Sequence, residues 1–155
     1  ILLSKQVGKS KVFSLNLNNN QTKEFILLAE KKETLELLKK EFFIKKIYDE
    51  YTKSNLIGCL ILFGSYVSGT NTKESDIDLL YIGEIKDNEK KIIKDIGKVY
   101  NKEIHLTIMS LREFKEQLQK QNILIKEIIR NHIILSNHDF LINELWRYYN
   151  EKREK

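Results

Sequence analysis

Residues 60–80 read Leu60-Ile61-Leu62-Phe63-Gly64-Ser65-Tyr66-Val67-Ser68-Gly69-Thr70-Asn71-Thr72-Lys73-Glu74-Ser75-Asp76-Ile77-Asp78-Leu79-Leu80. The apolar run that leads into this stretch is too uniform to have a wet face, so it predicts a central strand over residues 57–63. A polar segment rich in Gly, Ser and Thr follows, with a short helix expected after Ser65. A second strand is predicted over residues 77–82.

Two carboxylates open this second strand, although aspartate is disfavoured in strands. The i, i+2 spacing of Asp76 and Asp78 puts both side chains on one face, with Ile77 on the other. Two carboxylates that close repel each other unless a cation or a proton lies between them. Mg²⁺ suits the pair because it takes oxygen ligands and keeps positions for water and substrate phosphates. We therefore predict that Asp76 and Asp78 bind metal.

The Gly64-Ser65 pair predicts a phosphate site next to these carboxylates. Glycine lets a backbone N–H approach a phosphate without a Cβ in the way, and the serine hydroxyl adds a donor. A helix that begins just after the pair would point its positive end at the same anion. Strand, turn and second strand would together hold phosphates and metal.

The rest of the chain predicts alternating helices and strands, and hence an α/β or α+β fold. Apolar residues at three- and four-residue steps predict helices from Thr22 to about Lys53, with a break near residues 31–34, and over residues 89–100 and 123–131. Alternation predicts a strand over Glu103–Met109 and a short one over residues 132–135. Capping-box patterns at Ser110 and at Ser136 predict two further helix starts. Apolar-alternating runs at residues 1–4 and 12–17, around a polar turn with Gly8, predict a hairpin.

In these features the sequence resembles the DNA polymerase β nucleotidyltransferase superfamily, most closely its minimal nucleotidyltransferases. The shared signature is an apolar strand that ends in Gly-Ser, a spacer of about this length, and then Asp-apolar-Asp-apolar, here Asp76-Ile77-Asp78-Leu79. The resemblance covers roughly residues 40–155 and is strong over residues 60–80. It implies a small mixed sheet with flanking helices, to which the N-terminal hairpin is added.

The resemblance also implies a reaction, its ligands and the residues that bind them. A nucleotidyl group, expected to be AMP from ATP, would pass from a nucleoside triphosphate to an acceptor hydroxyl, with two Mg²⁺ ions as cofactors. Asp76 and Asp78 would bind the metals. The nucleotide contacts are expected from Gly64, Ser65, Gly69, Lys73 and Ser75.

Two positions depart from the family pattern. Family members usually place a third carboxylate on a following strand, and here that position is taken by His105, with Glu103 two residues earlier on the same face. Both are candidate catalytic residues, and either could face the metals. Glu103 would complete a set of three carboxylate ligands, whereas His105 alone would weaken the Mg²⁺ site because imidazole suits transition metals more than Mg²⁺. The other departure is Ser68, where close relatives often carry an arginine. Lys73 is either its substitute or a solvated loop lysine.

The sequence predicts three segments: a hairpin (residues 1–20), connecting helices (21–54) and a nucleotidyltransferase domain (55–155). With its lysines, the hairpin is similar to the wing of a winged-helix DNA-binding domain, whose recognition helix would precede Ile1. The alternative is an edge hairpin that packs on the catalytic domain. A rival function follows from the wing: a DNA-binding regulator or antitoxin-like protein whose nucleotidyltransferase domain is a nucleotide sensor or a degenerate module. Minimal members often act as antitoxins that modify a toxin, so the expected partners are a toxin or another protein acceptor, and DNA in the rival case.

Composition sets the remaining expectations. The net charge of +5 permits an anionic partner. No apolar run approaches the roughly 20 residues of a membrane-spanning helix, so no membrane association is expected. Cys59, the single cysteine, lies in an apolar run and predicts a buried free thiol and a cytoplasmic protein. Because the chain begins at Ile1 and its only methionine is Met109, we expect it to belong to a longer product.

Overall fold

The computed structural model describes residues 1–54 and 56–153, so the domain boundary predicted at Asn55 lies outside the described residues. The elements are β1 (Leu2–Val7), β2 (Ser10–Leu15), α1 (Asn20–Lys40), α2 (Phe42–Lys53), β3 (Cys59–Phe63), α3 (Ser65–Ser68), β4 (Ile77–Ile82), α4 (Asp87–Val99), β5 (Ile104–Met109), α5 (Leu111–Gln119), α6 (Ile123–Arg130), β6 (Ile133–Ile134) and α7 (His138–Arg153). The predicted α+β class is confirmed.

A mixed sheet of four strands, in the order β5-β4-β3-β6, forms the centre of the fold. β3 pairs antiparallel with β4 and with β6, whereas β4 and β5 run parallel. Residues Cys59 to Leu62 of β3 are buried. The central strand predicted from the uniformly apolar run is therefore confirmed.

The sheet carries an apolar core on each face, because successive residues of a strand point to opposite sides. The first core joins α2 and α4 to the sheet through Ile44, Ile47, Leu60, Leu62, Leu79, Ile93 and Ile96. The second core joins α5, α6 and α7 to the sheet through Ile61, Leu80, Ile82, Phe114, Ile125, Ile128 and Leu141. The two cores together fix the direction of every side chain on β4.

β5 alternates as predicted. Ile104, Leu106 and Ile108 pack against the first core, and His105 between them is exposed. The strand begins one residue later than expected, although the carbonyl of Glu103 still accepts a hydrogen bond from the Ile77 amide at 2.9 Å.

The long N-terminal helix breaks at Glu41, so the break predicted near residues 31–34 is wrong. Thr34 is buried, and its hydroxyl donates to the carbonyl of Ile134 at 2.6 Å, which ties the middle of α1 to β6. Glu41 itself is extended, with φ −107° and ψ 97°. Because α1 contacts α7 and β6 whereas α2 packs with α4, tertiary packing sets the position of the break.

The two predicted capping boxes differ in outcome. Ser110 and Glu113 form the reciprocal hydrogen bonds of a capping box, as expected. Ser136 does not start a helix: its hydroxyl accepts the Leu60 amide at 3.0 Å, and α7 begins at His138. The serine accepts a hydrogen bond from a strand amide instead of capping a helix. The spacing between Ser136 and Asp139, from which the capping box was predicted, does not indicate this contact.

The N-terminal hairpin is confirmed, but its first strand is longer, its second strand lies two residues earlier and its turn is tighter than predicted. Val7 pairs with Ser10, which leaves a two-residue turn in which Gly8 has φ +60°. Every residue of β1 and β2 is exposed, so the hairpin stands out from the described part of the chain instead of packing on it. Its interpretation as a wing stays a prediction.

The buried thiol is confirmed. Cys59 is fully buried, and its Sγ lies 3.2 Å from the carbonyl oxygen of Ser136. Burial raises the pKa of this thiol to about 12. Within the described ranges, no helix combines the length and apolar character that crossing a membrane requires.

Candidate active site

The two aspartates lie where β4 begins, beside the end of β3. Asp78 is paired with Phe63 across the ladder. Ile77 is buried, whereas both aspartates are half-buried. His105 reaches both carboxylates: its Nδ1 lies 3.4 Å from Oδ1 of Asp78, and its Nε2 lies 4.0 Å from Oδ2 of Asp76. The side chains of Asp76 and Asp78 therefore project from the same face, as their spacing predicted.

Gly64 brings the turn into direct contact with one of these carboxylates. Its backbone has φ +74° and ψ −147°, a region that essentially only glycine occupies. A Cβ at this position would collide with Oδ2 of Asp78. Glycine is thus required twice, for the backbone conformation and for the approach of Asp78.

The segment after Gly64 forms a single helical turn. The amides of Val67 and Ser68 donate to the carbonyl of Gly64 at 3.2 and 3.1 Å. Gly69 closes α3 in the left-handed conformation, with φ +71°, and a Cβ there would meet nothing within 4 Å. The geometry of this helix end accounts for glycine at position 69.

Lys102 holds the loop that leads into Asp76. Its Nζ donates to the carbonyl oxygens of Lys73 at 2.5 Å and of Ser75 at 3.2 Å. The Ser75 hydroxyl accepts the amide of Thr72 at 2.8 Å, which shapes the same turn. Sequence reasoning missed Lys102, because an ammonium group that binds main-chain carbonyls leaves no pattern in the sequence.

Glu103 and His105, offered as alternatives from the sequence, share the site. Nε2 of His105 lies 3.0 Å from Oε1 of Glu103, within hydrogen-bonding distance. This hydrogen bond, aided by the charges of Glu103 and Asp76 and by Asp78, raises the pKa of His105 above its ordinary value of 6.5. Both side chains are exposed, so both are accessible to a substrate.

The donor atoms fit a divalent cation. Ligand atoms of Asp76, Glu103 and His105 lie within 4.8 Å of one another. Asp78 is not in this trio, since it faces the other ring nitrogen of His105. Three carboxylates suit Mg²⁺, whereas the imidazole among them favours a transition metal. Of the predicted ligands, Asp76 and Glu103 therefore lie together with His105, whereas Asp78 lies at the other ring nitrogen of the imidazole.

Two cavities border the site, and a third lies away from it. One of about 430 Å³ is lined by Phe63, Gly64, Ser68, Glu127, Arg130 and Asn131. Another of about 620 Å³ contains Lys73 together with Asp76, Lys94, Lys98, Lys102 and Glu103. The third, of about 850 Å³, lies beside Gly58 and Gly83 at the opposite end of β3 and β4. Lys73 thus borders a different cavity from Gly64. Arg130, far away in the sequence, was not among the predicted site residues.

The chain is similar to a known protein family over the region that contains this site. A family profile described as nucleotidyltransferase domain matches residues 43–134, a range that contains Gly64, Asp76, Asp78, Glu103 and His105. No curated protein matches the chain. A solved structure described as "Crystal structure of the toxin-antitoxin with AMP-PNP" is similar with a TM-score of 0.42 and 14% identity, over 70% of this chain and 91% of that chain. At that TM-score the likeness does not bear on function.

Proposed function

Because this chain belongs to the nucleotidyltransferase domain family, we propose that it is a Mg²⁺-dependent enzyme that transfers a nucleotidyl group from a nucleoside triphosphate to an acceptor hydroxyl. Transfer of AMP from ATP is the proposed case. The observation that supports this most directly is the position of Asp78, whose carboxylate lies against the Gly64 turn. A metal on the carboxylates would then lie next to phosphates on the turn.

Each group has a proposed role in binding. Asp76, Asp78 and Glu103 would bind the metal ions. When bound, such ions offset the charge of the triphosphate and stabilise the leaving oxygen. Gly64 and Ser65 would bind the phosphates through the backbone and the hydroxyl. The contacts predicted for Gly69, Lys73 and Ser75 stay predictions, because these residues shape the connecting segment or border the other cavity.

In the proposed reaction, the acceptor oxygen attacks the α-phosphorus in line with the bond to the β-phosphate. A new oxygen–phosphorus bond forms while the α–β bridging bond breaks, and pyrophosphate leaves with the electron pair of that bond. The hydroxyl proton would pass to the Glu103–His105 pair, whose Oε1 and Nε2 lie 3.0 Å apart. The positioning of the reactants and the offset of charge supply most of the catalysis in such transfers.

Binding tests the proposal first. In calorimetry with Mg²⁺, we expect ATP to bind the wild type at least about tenfold more tightly than Asp76→Asn/Asp78→Asn. Asp139→Asn is a matched control, because this exposed carboxylate pairs with Lys31 and is not part of the site. Equal ATP affinity in the wild type and the double variant would remove the proposal.

Transfer is tested with labelled ATP and a cell extract as the source of acceptors. Label in the α-phosphate should become attached to an acceptor, whereas label in the γ-phosphate should appear in pyrophosphate. Attachment of the γ-label would instead indicate phosphoryl transfer. The labelled product would identify the acceptor and so test the predicted toxin or other protein partner. The rival DNA-binding function stays a prediction from the hairpin.

A further inference from the structure

Arg130 is the one cationic side chain among the described residues that line the 430 Å³ cavity beside Gly64. We infer that Arg130, the last residue of α6, binds the β- and γ-phosphates of a nucleoside triphosphate held at the Gly64-Ser65 turn. The inference rests on the proposed function and adds to it a binding residue from a distant part of the chain.

The turn has no cation of its own. Residues 64–72 contain neither lysine nor arginine, although a triphosphate tail carries several negative charges. The hydroxyl of Ser68 already lies 3.2 Å from the carbonyl oxygen of Ser65 and 2.8 Å from Oγ1 of Thr70. Charge to balance the phosphates must therefore come from another element or from the metals.

α6 lies on the face of the sheet from which Asp78 projects. Asp78 shares its face of β4 with Leu80, which packs in the second core with Ile125 and Ile128 of α6. The lysines of α4 belong to the other side, because Ile93 and Ile96 of that helix pack in the first core. Arg130 thus approaches from the side of Asp78 and Gly64, whereas Lys73 shares its cavity with Asp76 and the lysines of α4.

Arg130 is both available and well placed. It is exposed, and it forms no ion pair within the described residues. The end of its helix is fixed, since Ile128 is buried and the Asn131 amide donates to the carbonyls of Glu127 and Ile128. A guanidinium can give two parallel hydrogen bonds to phosphate oxygens. Glu127, which lines the same cavity, opposes an anion and limits the affinity.

The test uses calorimetry with Mg²⁺ and adenosine 5′-(α,β-methylene)triphosphate, which resists cleavage at the bond broken in nucleotidyl transfer. We expect Arg130→Ala to weaken binding about 10- to 100-fold and Arg130→Lys to weaken it less. Glu127→Gln should tighten binding. AMP, which lacks the two outer phosphates, should bind wild type and Arg130→Ala alike. If Arg130→Ala lost affinity for AMP and for the triphosphate analogue by the same factor, the inference would be overturned, since Arg130 would then support the structure of the site and not bind the outer phosphates.

A second cation on the same cavity wall provides a rescue. Ser68→Arg in the Arg130→Ala background should restore part of the lost affinity, because residue 68 lines the same cavity. Arg112→Ala is the control, with little change expected, since the exposed Arg112 pairs with Glu116. Lys73→Ala tests the predicted lysine contact separately, because Lys73 borders another cavity. A large loss in Lys73→Ala and none in Arg130→Ala would assign the phosphate contact to Lys73 and refute the inference.

The failure of this inference is distinguishable from the failure of the proposed function. If Mg²⁺-dependent binding needs the two aspartates but is unaffected in Arg130→Ala, only the role of Arg130 is wrong. If the wild type does not bind the analogue, or binds it equally without the aspartates, the proposed function itself fails.

Discussion

Gly64 connects backbone geometry to the chemistry of the site. Its positive φ turns the chain out of β3, and the missing Cβ leaves the space in which Oδ2 of Asp78 lies. Gly69, five residues later, shares the positive φ but has open space around it. The two glycines therefore separate the effect of backbone strain from the effect of contact with the aspartate.

Gly64→Ala should abolish Mg²⁺-dependent ATP binding, because the new methyl group displaces the Asp78 carboxylate. Backbone strain should also lower the free energy of unfolding by about 1–3 kcal/mol. Gly69→Ala should cost a similar 1–2 kcal/mol of strain, roughly, while ATP binding is kept. Calorimetry and urea unfolding of both variants measure the two effects. Comparable loss of binding in Gly69→Ala would instead support the direct nucleotide contact predicted for Gly69.

His105 decides which cation the site prefers. The imidazole lies among Asp76, Asp78 and Glu103, where it offsets part of their mutual repulsion. His105→Asp would place a carboxylate at the third family position, so we expect Mg²⁺ affinity to rise about tenfold or more. His105→Asn, which adds no charge, is the control. Melting curves with and without Mg²⁺ measure this affinity through the rise in melting temperature that Mg²⁺ causes. If that rise were the same in His105→Asp as in the wild type, His105 would not control the choice of cation.

At the scale of elements, the loop between α3 and β4 depends on Lys102, just before β5. Lys102→Met removes the hydrogen bonds to the carbonyls of Lys73 and Ser75 but keeps most of the apolar stem. We expect a loss of about 1–3 kcal/mol in stability. We also expect weaker metal binding, because the loop sets the position of Asp76. Lys102→Arg should retain part of the stability and part of the metal affinity, because its guanidinium can still donate to main-chain carbonyls.

Hydrogen exchange locates the effect of Lys102→Met. Faster exchange should be confined to residues 72–76, whereas the central strand β3 should exchange as in the wild type. Uniformly faster exchange would show that Lys102 acts on the whole fold and not on this loop.

Elements that are built from local patterns were predictable from the sequence. The central strand, the Asp76-Ile77-Asp78 strand and the alternation of β5 follow from side-chain periodicity, and the capping box at Ser110 follows from spacing. These place Asp76 and Asp78 on one face of their strand and Glu103 and His105 on one face of the next. The register of β4 against β5, which places Asp78 opposite His105, needed the structure.

Features that depend on contacts between distant segments were not predictable. The helix break at Glu41 is set by the different packing partners of α1 and α2. The hydroxyl of Ser136 accepts a hydrogen bond from the Leu60 amide and does not cap a helix. Arg130 reaches the Gly64 cavity only because α6 packs on the face of β4 that carries Asp78. In each case the local sequence is compatible with several outcomes, and packing selects one.

At the scale of the whole molecule, a half-buried polar pair, Glu30 and His132, makes stability depend on pH. Oε2 of Glu30 lies 3.9 Å from Nε2 of His132, and within the described residues neither atom has a hydrogen-bond partner. Burial, with the charge of Glu33, raises the pKa of Glu30 from 4.5 to about 7. Burial likewise lowers the pKa of His132. The folded protein thus favours both side chains uncharged.

The two shifts act in opposite directions. Between pH 4.5 and about 7 the folded protein keeps a proton on Glu30 that the unfolded chain has lost, so this contribution to stability falls as the pH rises through that window. The contribution of His132 falls as the pH drops below its ordinary value of 6.5, where the unfolded chain binds a proton and the folded protein does not.

Glu30→Gln isolates the first effect, because an amide resembles the protonated carboxyl and leaves His132 in place. From about pH 5 to about pH 8, we expect the wild type to lose on the order of 2 kcal/mol of stability relative to Glu30→Gln. Urea unfolding at several pH values measures this difference. A constant difference over the whole range would show that Glu30 titrates normally.

Cys59 makes the centre of the sheet chemically observable. Alkylating reagents attack the thiolate, and burial together with a pKa of about 12 keeps that species scarce while β3 remains covered by β6 and α7. Since the chain has a single cysteine, its labelling rate is a reporter of the opening of β3 that needs no introduced probe. A bound nucleotide that tightens the fold would register as slower alkylation, even before any acceptor is known.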